Sequence, residues 1–263
     1  MRLALGISYN GQSYEGWQSQ LSGKTVQDKL EAALAKFSNI NTPRVSTVCA
    51  GRTDAGVHGL MQVVHFDTPL DRPTHAWVRG TNTHLPRDIA VQWAHIMTDE
   101  FHCRANALSR RYAYLLLDSP VRPSVDAGRV GWAYHPLDMD AMTQAAQHLL
   151  GEHDFTSFRA SACQALSPTK KILRLEITRR GAYWRFEFEA NAFLHHMIRN
   201  LMGCLIAIGQ GKHPPGWILE VLAARNRDAA APTFSPDGLY FLGPRYDARW
   251  GLPERTPAYD GLL

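Results

Sequence analysis

At 263 residues, 45% hydrophobic and 20% charged with a net charge of +4, the chain has the composition of a globular protein able to bury a core without disulfides, which sets aside disorder, collagen and coiled coil. No apolar run reaches the roughly 18 residues that a membrane span needs, Leu201–Ile208 being the best candidate, and the N-terminus reads as a strand rather than a signal peptide, so a cytoplasmic protein is expected. Cys49, Cys103, Cys163 and Cys204 form no C-x-x-C pair and are expected as reduced core thiols, while neither His148/His153 nor His195/His196 fits a zinc-ligand pattern, so no metal is expected.

In chain order, Leu3–Tyr9 alternates as a strand with Leu3, Leu5 and Ile7 on one face. Thr25 reads as an N-cap with Asp28 as its capping partner, and Val26, Leu30, Ala33, Leu34 and Phe37 follow at helical spacing as a core stripe. Val45–Ala50 and Gln62–Phe66 are β-rich and flank a glycine-containing turn. Pro73–Thr83 reads as a helix and Val91–Met97 as a strand. A second series follows: Arg111–Leu117 as a strand, Met139–Leu150 as a helix ended by Gly151, then Ile172–Thr178 and Tyr183–Phe188 as a hairpin across Arg180-Gly181. Phe193–Ile208 reads as a long apolar helix and Pro215–Ala224 as a shorter one. Both halves thus run strand, helix, strand, strand, helix, with Leu117–Val130 as the joint and Pro253–Leu263 loosely held.

The basic residues are 22 Arg against 6 Lys. Arginine suits planar, bidentate contact with phosphates and stacking on bases, although a GC-rich coding bias gives the same excess. One segment stands out between two strands: Cys49-Ala50-Gly51-Arg52-Thr53-Asp54-Ala55-Gly56-Val57-His58-Gly59. Its glycines can present the Asp54 carboxylate and the Arg52 guanidinium to a cleft without steric cover. The segment equally fits a structural turn whose Asp caps a backbone N–H. It lacks the G-K-[ST] ending of a phosphate-binding P-loop.

Gly51-Arg52-Thr53-Asp54-Ala55-Gly56-Val57-His58 resembles the signature of the tRNA pseudouridine synthases of the TruA type. Further blocks in the same order are similar to that family: Gly16-Trp17-Gln18-Ser19-Gln20, Gln62–Asp67, Phe101-His102-Cys103-Arg104, Ser109–Tyr114, Asp154–Phe158 and Phe193–Asn200. Three places depart from its pattern. Ala192 stands where Gly is usual, Gly59-Leu60-Met61 replaces A-x-G, and Thr233-Phe234-Ser235-Pro236 replaces T-A-P-A before Gly238-Leu239.

The resemblance implies isomerisation of uridine to pseudouridine in the anticodon stem-loop of tRNA, at tRNA positions 38–40, without cofactor or metal, by a cytoplasmic homodimer. It implies Asp54 as nucleophile at C1′, Arg199 as its charge partner, and Tyr112 stacking on the base and removing the C5 proton. Tyr114, two residues on, keeps a structural reading. The target base must be flipped out of its stack, and Arg52 is the candidate to fill the vacated space or hold the flipped nucleotide, with His58 a second substrate-binding candidate. Arg110 and Arg111 join Arg79, Arg104, Arg159, Lys170, Lys171 and Arg174 as a candidate basic track for the RNA. The expected fold is α+β: duplicated RRM/ferredoxin-like halves sharing a mixed, mainly antiparallel sheet, with the catalytic cleft between them. Residues 1–117 would form the half carrying the Asp loop, and 118–263 the half carrying the basic partner helix. Two other readings compete: a non-catalytic RNA-binding protein of this fold, and a small-molecule hydrolase using Asp54 and His58.

Overall fold

The structure is a computed structural model that describes residues 1–39 and 42–254. By packing, the chain forms two units: Met1–Leu108 together with the segment from Tyr240 onward, and Ser109–Leu239.

In the first unit, β1 (Arg2–Tyr9) lies between β3 (His58–Asp67) and β4 (Ile89–Met97), antiparallel to both. The short β2 (Val48–Cys49) pairs antiparallel with β3, and β10 (Leu239–Tyr246) returns parallel to it, with Tyr240 opposite His58. Leu3, Leu5, Ile7 and Tyr9 pack into one core with Val26, Leu30 and Leu34 of α1 (Val26–Ser38) and Trp77 of α2 (Thr74–Asn82). The intervening Ala4 belongs to a second cluster with Val63, Phe101 and Cys103, so this central strand is buried on both faces. α1 starts as its sequence predicts: the Thr25 hydroxyl oxygen accepts from the Asp28 N–H at 3.2 Å and donates to the Asp28 carboxylate at 2.6 Å. The strand expected over Val45–Ala50 shrinks to two residues. Its first half is tied to α1 instead, Val45 N–H donating to the Glu31 carbonyl and Thr47 N–H to the buried Glu31 carboxylate.

The second unit holds β5 (Ala107–Asp118), the short β6 (Gly131–Ala133), α3 (Met139–Gln147), the short β7 (Gly151–Asp154), β8 (Thr169–Arg180), β9 (Tyr183–Ala190), α4 (Met197–Gly209) and α5 (Trp217–Ala224). The sheet order is β5-β9-β8-β7, all antiparallel, with β6 parallel to β5. The hairpin turns at Gly181, where φ is +62°, as Arg180-Gly181 predicts. The stretch 117–130 runs from β5 to β6 inside this unit.

The α+β expectation agrees with these elements: mixed, mainly antiparallel pairing, and strand, helix, strand, strand, helix in each series. Several boundaries move. α3 ends at Gln147, and Gly151 opens a strand at φ +92° rather than ending a helix. α4 begins at Met197 instead of Phe193, because His196 takes a left-handed conformation (φ +62°) and the His195 carbonyl accepts from Ala160 N–H. β6, β7 and β10 are additional strands. Cys49, Cys103 and Cys204 are buried as expected, while Cys163 is half-buried. Among the described residues no helix is long and apolar enough to cross a membrane. The expectation for 253–263 falls, from 255 onward, outside the described residues.

Candidate active site

Arg52, Asp54 and His58 sit on the connection from β2 to β3 and on the first residue of β3. Arg52 is exposed, Asp54 half-buried, and Thr53 between them buried. The backbone here is held on every side. Ala50 N–H donates to Val63 O at 2.8 Å. The side-chain amide of the wholly buried Gln62 spans Gly51: its Nε2 donates to the carbonyl and its Oε1 accepts from the N–H. Thr53 accepts on its carbonyl from Trp17 N–H at 3.0 Å, and its hydroxyl pairs with the Tyr9 phenol at 2.8 Å. Val57 N–H closes a turn on Asp54 O at 3.2 Å, and Gly56, at φ +79°, donates to Tyr14 O. Burial raises the Tyr9 phenol above its ordinary range, so it stays protonated at neutral pH. Trp17 belongs to the G-W-Q-x-Q block, whose place in the fold is thereby fixed: it braces the Asp54 turn.

His58 is 3% exposed; its Nδ1 accepts from Gly11 N–H at 3.1 Å, and its ring stacks on Tyr240 at 4.6 Å. Arg104 lies behind the loop, its Nε donating to Cys49 O and its guanidinium reaching Cys49 Sγ. Burial pushes the Cys49 thiol up, so it stays protonated at neutral pH.

The second unit carries the other sequence-derived candidates. Arg110, Arg111 and Tyr112 lie on β5 opposite Ala190, Glu189 and Phe188 of β9. Arg110 donates to Asn191 O at 3.0 Å. The Tyr112 ring, 7% exposed, meets Phe193 edge-on at 5.2 Å. Tyr114 is wholly buried and donates to Ser235 O at 2.8 Å, which agrees with its structural reading; burial and the nearby Asp237 carboxylate raise its phenol.

Arg199 lies in the first turn of α4. Every residue of this helix is buried except Arg199 and Ala207, so Arg199 is its single charged residue and is part-exposed. It is fastened to the segment after α5: its Nε donates to Phe234 O at 2.8 Å, and Phe234 N–H returns a bond to Arg199 O at 3.1 Å. Asn200, next along, donates to Phe158 O and accepts from the Thr233 hydroxyl. The departing tetrad Thr233–Pro236 thus touches Arg199 and Tyr114 through the carbonyls of Phe234 and Ser235, contacts that any residue type could supply. Because α4 starts at Met197, His195 and His196 stand in the turn before the helix, their rings 4.1 Å apart, and not on a helical face with Arg199. Of the wider basic track, Arg174 pairs with Glu176 and Glu187, and Arg159 donates to Cys163 O.

Sequence reasoning singled out the loop but missed Tyr9, Tyr14, Gln62 and Tyr240, which hold it. Gln62 inside an apolar strand was the available signal, since a buried amide requires partners.

A family model described as tRNA pseudouridine synthase matches residues 7–104 and 145–247. A tRNA pseudouridine synthase A of Albidiferax ferrireducens is 74% identical over 262 residues, covering all of both chains. One of Polaromonas naphthalenivorans is 71% identical over 266 residues, again covering all of both. A solved H/ACA RNP bound to a substrate RNA matches with a TM-score of 0.39 at 13% identity, over 78% of this chain and 44% of that one, a likeness that adds nothing to the fold. By the matches over its whole length, the chain belongs to the family of tRNA pseudouridine synthases.

Proposed function

We propose that this protein converts uridine to pseudouridine at tRNA positions 38–40 in the anticodon stem-loop, with Asp54 as the nucleophile. The support for the isomerisation is family membership at high identity over the full length. The observation that carries the site is the Gly51–Val57 turn, fastened residue by residue while Arg52 stays exposed and Asp54 half-buried. A turn that merely joined two strands would need few of these bonds.

The chemistry gives each group its task. The Asp54 carboxylate attacks C1′ as the N1–C1′ bond breaks, and the uracil leaves with that electron pair. The base turns, C5 attacks C1′, and the carboxylate is released. C5 then gives up its proton to Tyr112, acting as a phenolate or through water, and a proton is passed back to the former N1, so the count is unchanged. Atoms and electrons are conserved, so the reaction calls for no redox cofactor. Arg199 supplies the charge that partners the Asp54 carboxylate in this reading. Tyr112 stacks on the flipped uracil, Arg52 compensates the lost stacking, and Arg110 and Arg111 meet phosphates. His58, buried and bonded to Gly11, takes part through the loop it ends. The protein acts in the cytoplasm as a homodimer, which doubles the basic surface of a chain with a net charge of only +4.

The test is tritium release from tRNA labelled at uridine C5, with wild type beside Asp54→Asn. Release by wild type alone is the expected result. Release by both removes Asp54 from the mechanism. Release by neither, with tRNA still bound, leaves the non-catalytic RNA-binding reading.

A further inference from the structure

We propose that Tyr9, Thr53 and Gln62 are positioning residues for this reaction: a buried hydrogen-bonded frame that sets the backbone from which Asp54 is presented. The proposal rests on the reading of Asp54 as nucleophile.

Three polar side chains at 5%, 7% and 0% exposure occupy one place in the first unit. Burying such groups is unfavourable unless each is satisfied, and an apolar trio would pack there without that demand. Here the demand is met by two sets of bonds, both on the same turn. The Tyr9 phenol pairs with the Thr53 hydroxyl at 2.8 Å. Gln62 in turn grips both backbone polar groups of Gly51.

The frame therefore fastens residues 51 and 53, on either side of the exposed Arg52, and ends one residue before Asp54. Trp17 N–H adds a third fixed point at Thr53 O. Tyr9 and Gln62 sit on β1 and β3, adjacent strands whose register fixes them relative to each other. Strand geometry is thus transmitted to the turn through two side chains. A site built this way keeps its carboxylate in a reactive arrangement before substrate arrives, and loss of about an ångström of such placement costs on the order of a hundredfold in rate.

The experiment measures single-turnover tritium release at saturating tRNA, tRNA affinity and Tm for the full chain carrying Tyr9→Phe, Thr53→Val, both together, or Thr53→Ser. The two removals should each slow release by about tenfold to a hundredfold. tRNA affinity should stay within about twofold. The double variant should be no slower than the slower single, because both substitutions delete one shared bond. Thr53→Ser, which keeps the hydroxyl, should stay close to wild type. Tyr246→Phe, which loses a phenol bonded to Cys103 O in the same unit, is the control and should release at the wild-type rate.

Wild-type release by Tyr9→Phe overturns the proposal, as do losses that track Tm equally in Tyr9→Phe and Tyr246→Phe. If Thr53→Val does not fold, that comparison of the two phenol deletions decides alone. Asp54→Asn runs alongside. Full release by it overturns the nucleophile reading, whereas its loss beside an unaffected Tyr9→Phe overturns only the frame.

Discussion

Gly16 has φ +89°, and a β-carbon there would lie 2.7 Å from the carbonyl oxygen of Thr53 and 3.1 Å from the backbone of Asp54 and Ala55. Both backbone strain and steric conflict therefore oppose any side chain at this position. Gly16→Ala is expected to cost roughly 1–3 kcal/mol of stability by denaturant titration, and to slow turnover, since the atoms it displaces belong to the Asp54 turn. A variant with wild-type turnover would separate the two segments functionally. His65 gives a second residue-scale prediction. Burial lowers it from its ordinary 6.5 to about 4, helped by His102 and Arg2 and opposed by Asp67. Its Nδ1 lies 3.4 Å from Cys103 N–H. Between those two pH values the unfolded chain binds more protons at this site than the folded one, so stability falls as pH drops from 6.5 toward 4. His65→Leu should flatten that acid limb in a series of Tm measurements; an unchanged limb would assign it to other groups. The Asp54 turn was legible in sequence as a glycine-flanked motif. The residues that hold it were not, because Tyr9 and Gln62 act across 44 and 11 positions of chain, and a strand pattern shows burial, not partners.

At the scale of elements, α4 is the centre of the second unit, and its long apolar run was plain. Its start was not, because a left-handed His196 depends on what the flanking turn packs against and not on propensity. Gly203 lets this helix approach the segment after α5, where a β-carbon would collide with the Pro232 carbonyl. Two residues on, that segment bonds Arg199 through Phe234. Gly203→Ala is therefore expected to push residues 231–236 outward and to weaken activity more than the Tm shift of a single methyl implies. Asn200→Leu should be more damaging to the fold. It strands the Phe158 carbonyl, a loss of about 1–3 kcal/mol for a buried group left unpaired, and takes one partner from the Thr233 hydroxyl, which keeps its bond from Arg227. A Tm within a degree of wild type would show that the Phe158 carbonyl finds a replacement. β2 illustrates the opposite error, a β-rich stretch whose first half is claimed by the buried Glu31 of α1.

For the whole molecule, the alternation of elements revealed the α+β class, since period-2 and helical patterns are local. The closing strand of the first unit escaped that reading. β10 carries Gly243 at φ +121° and pairs in parallel with β3, a partner far away in sequence. It brings Tyr240 onto the His58 ring, 4.6 Å away. A chain truncated after Gly238 loses that ring contact and the parallel pairing. Its first unit should melt earlier in thermal unfolding followed by Trp17 and Trp77 fluorescence. Unchanged melting would mean that β1, β3 and β4 suffice.

The order of synthesis gives this arrangement a temporal consequence. The second unit is one unbroken stretch, 109–239, while the first needs both the earliest part of the chain and β10. A ribosome thus finishes all the second unit's residues before it makes the last strand of the first. At translation speeds of about 5–20 residues per second, the nascent β3 edge waits on the order of ten seconds with no β10 to cover it. Over that interval the loop that presents Asp54 is made but lacks the strand that carries Tyr240. A strand made late in synthesis is what completes the surroundings of one of the earliest motifs.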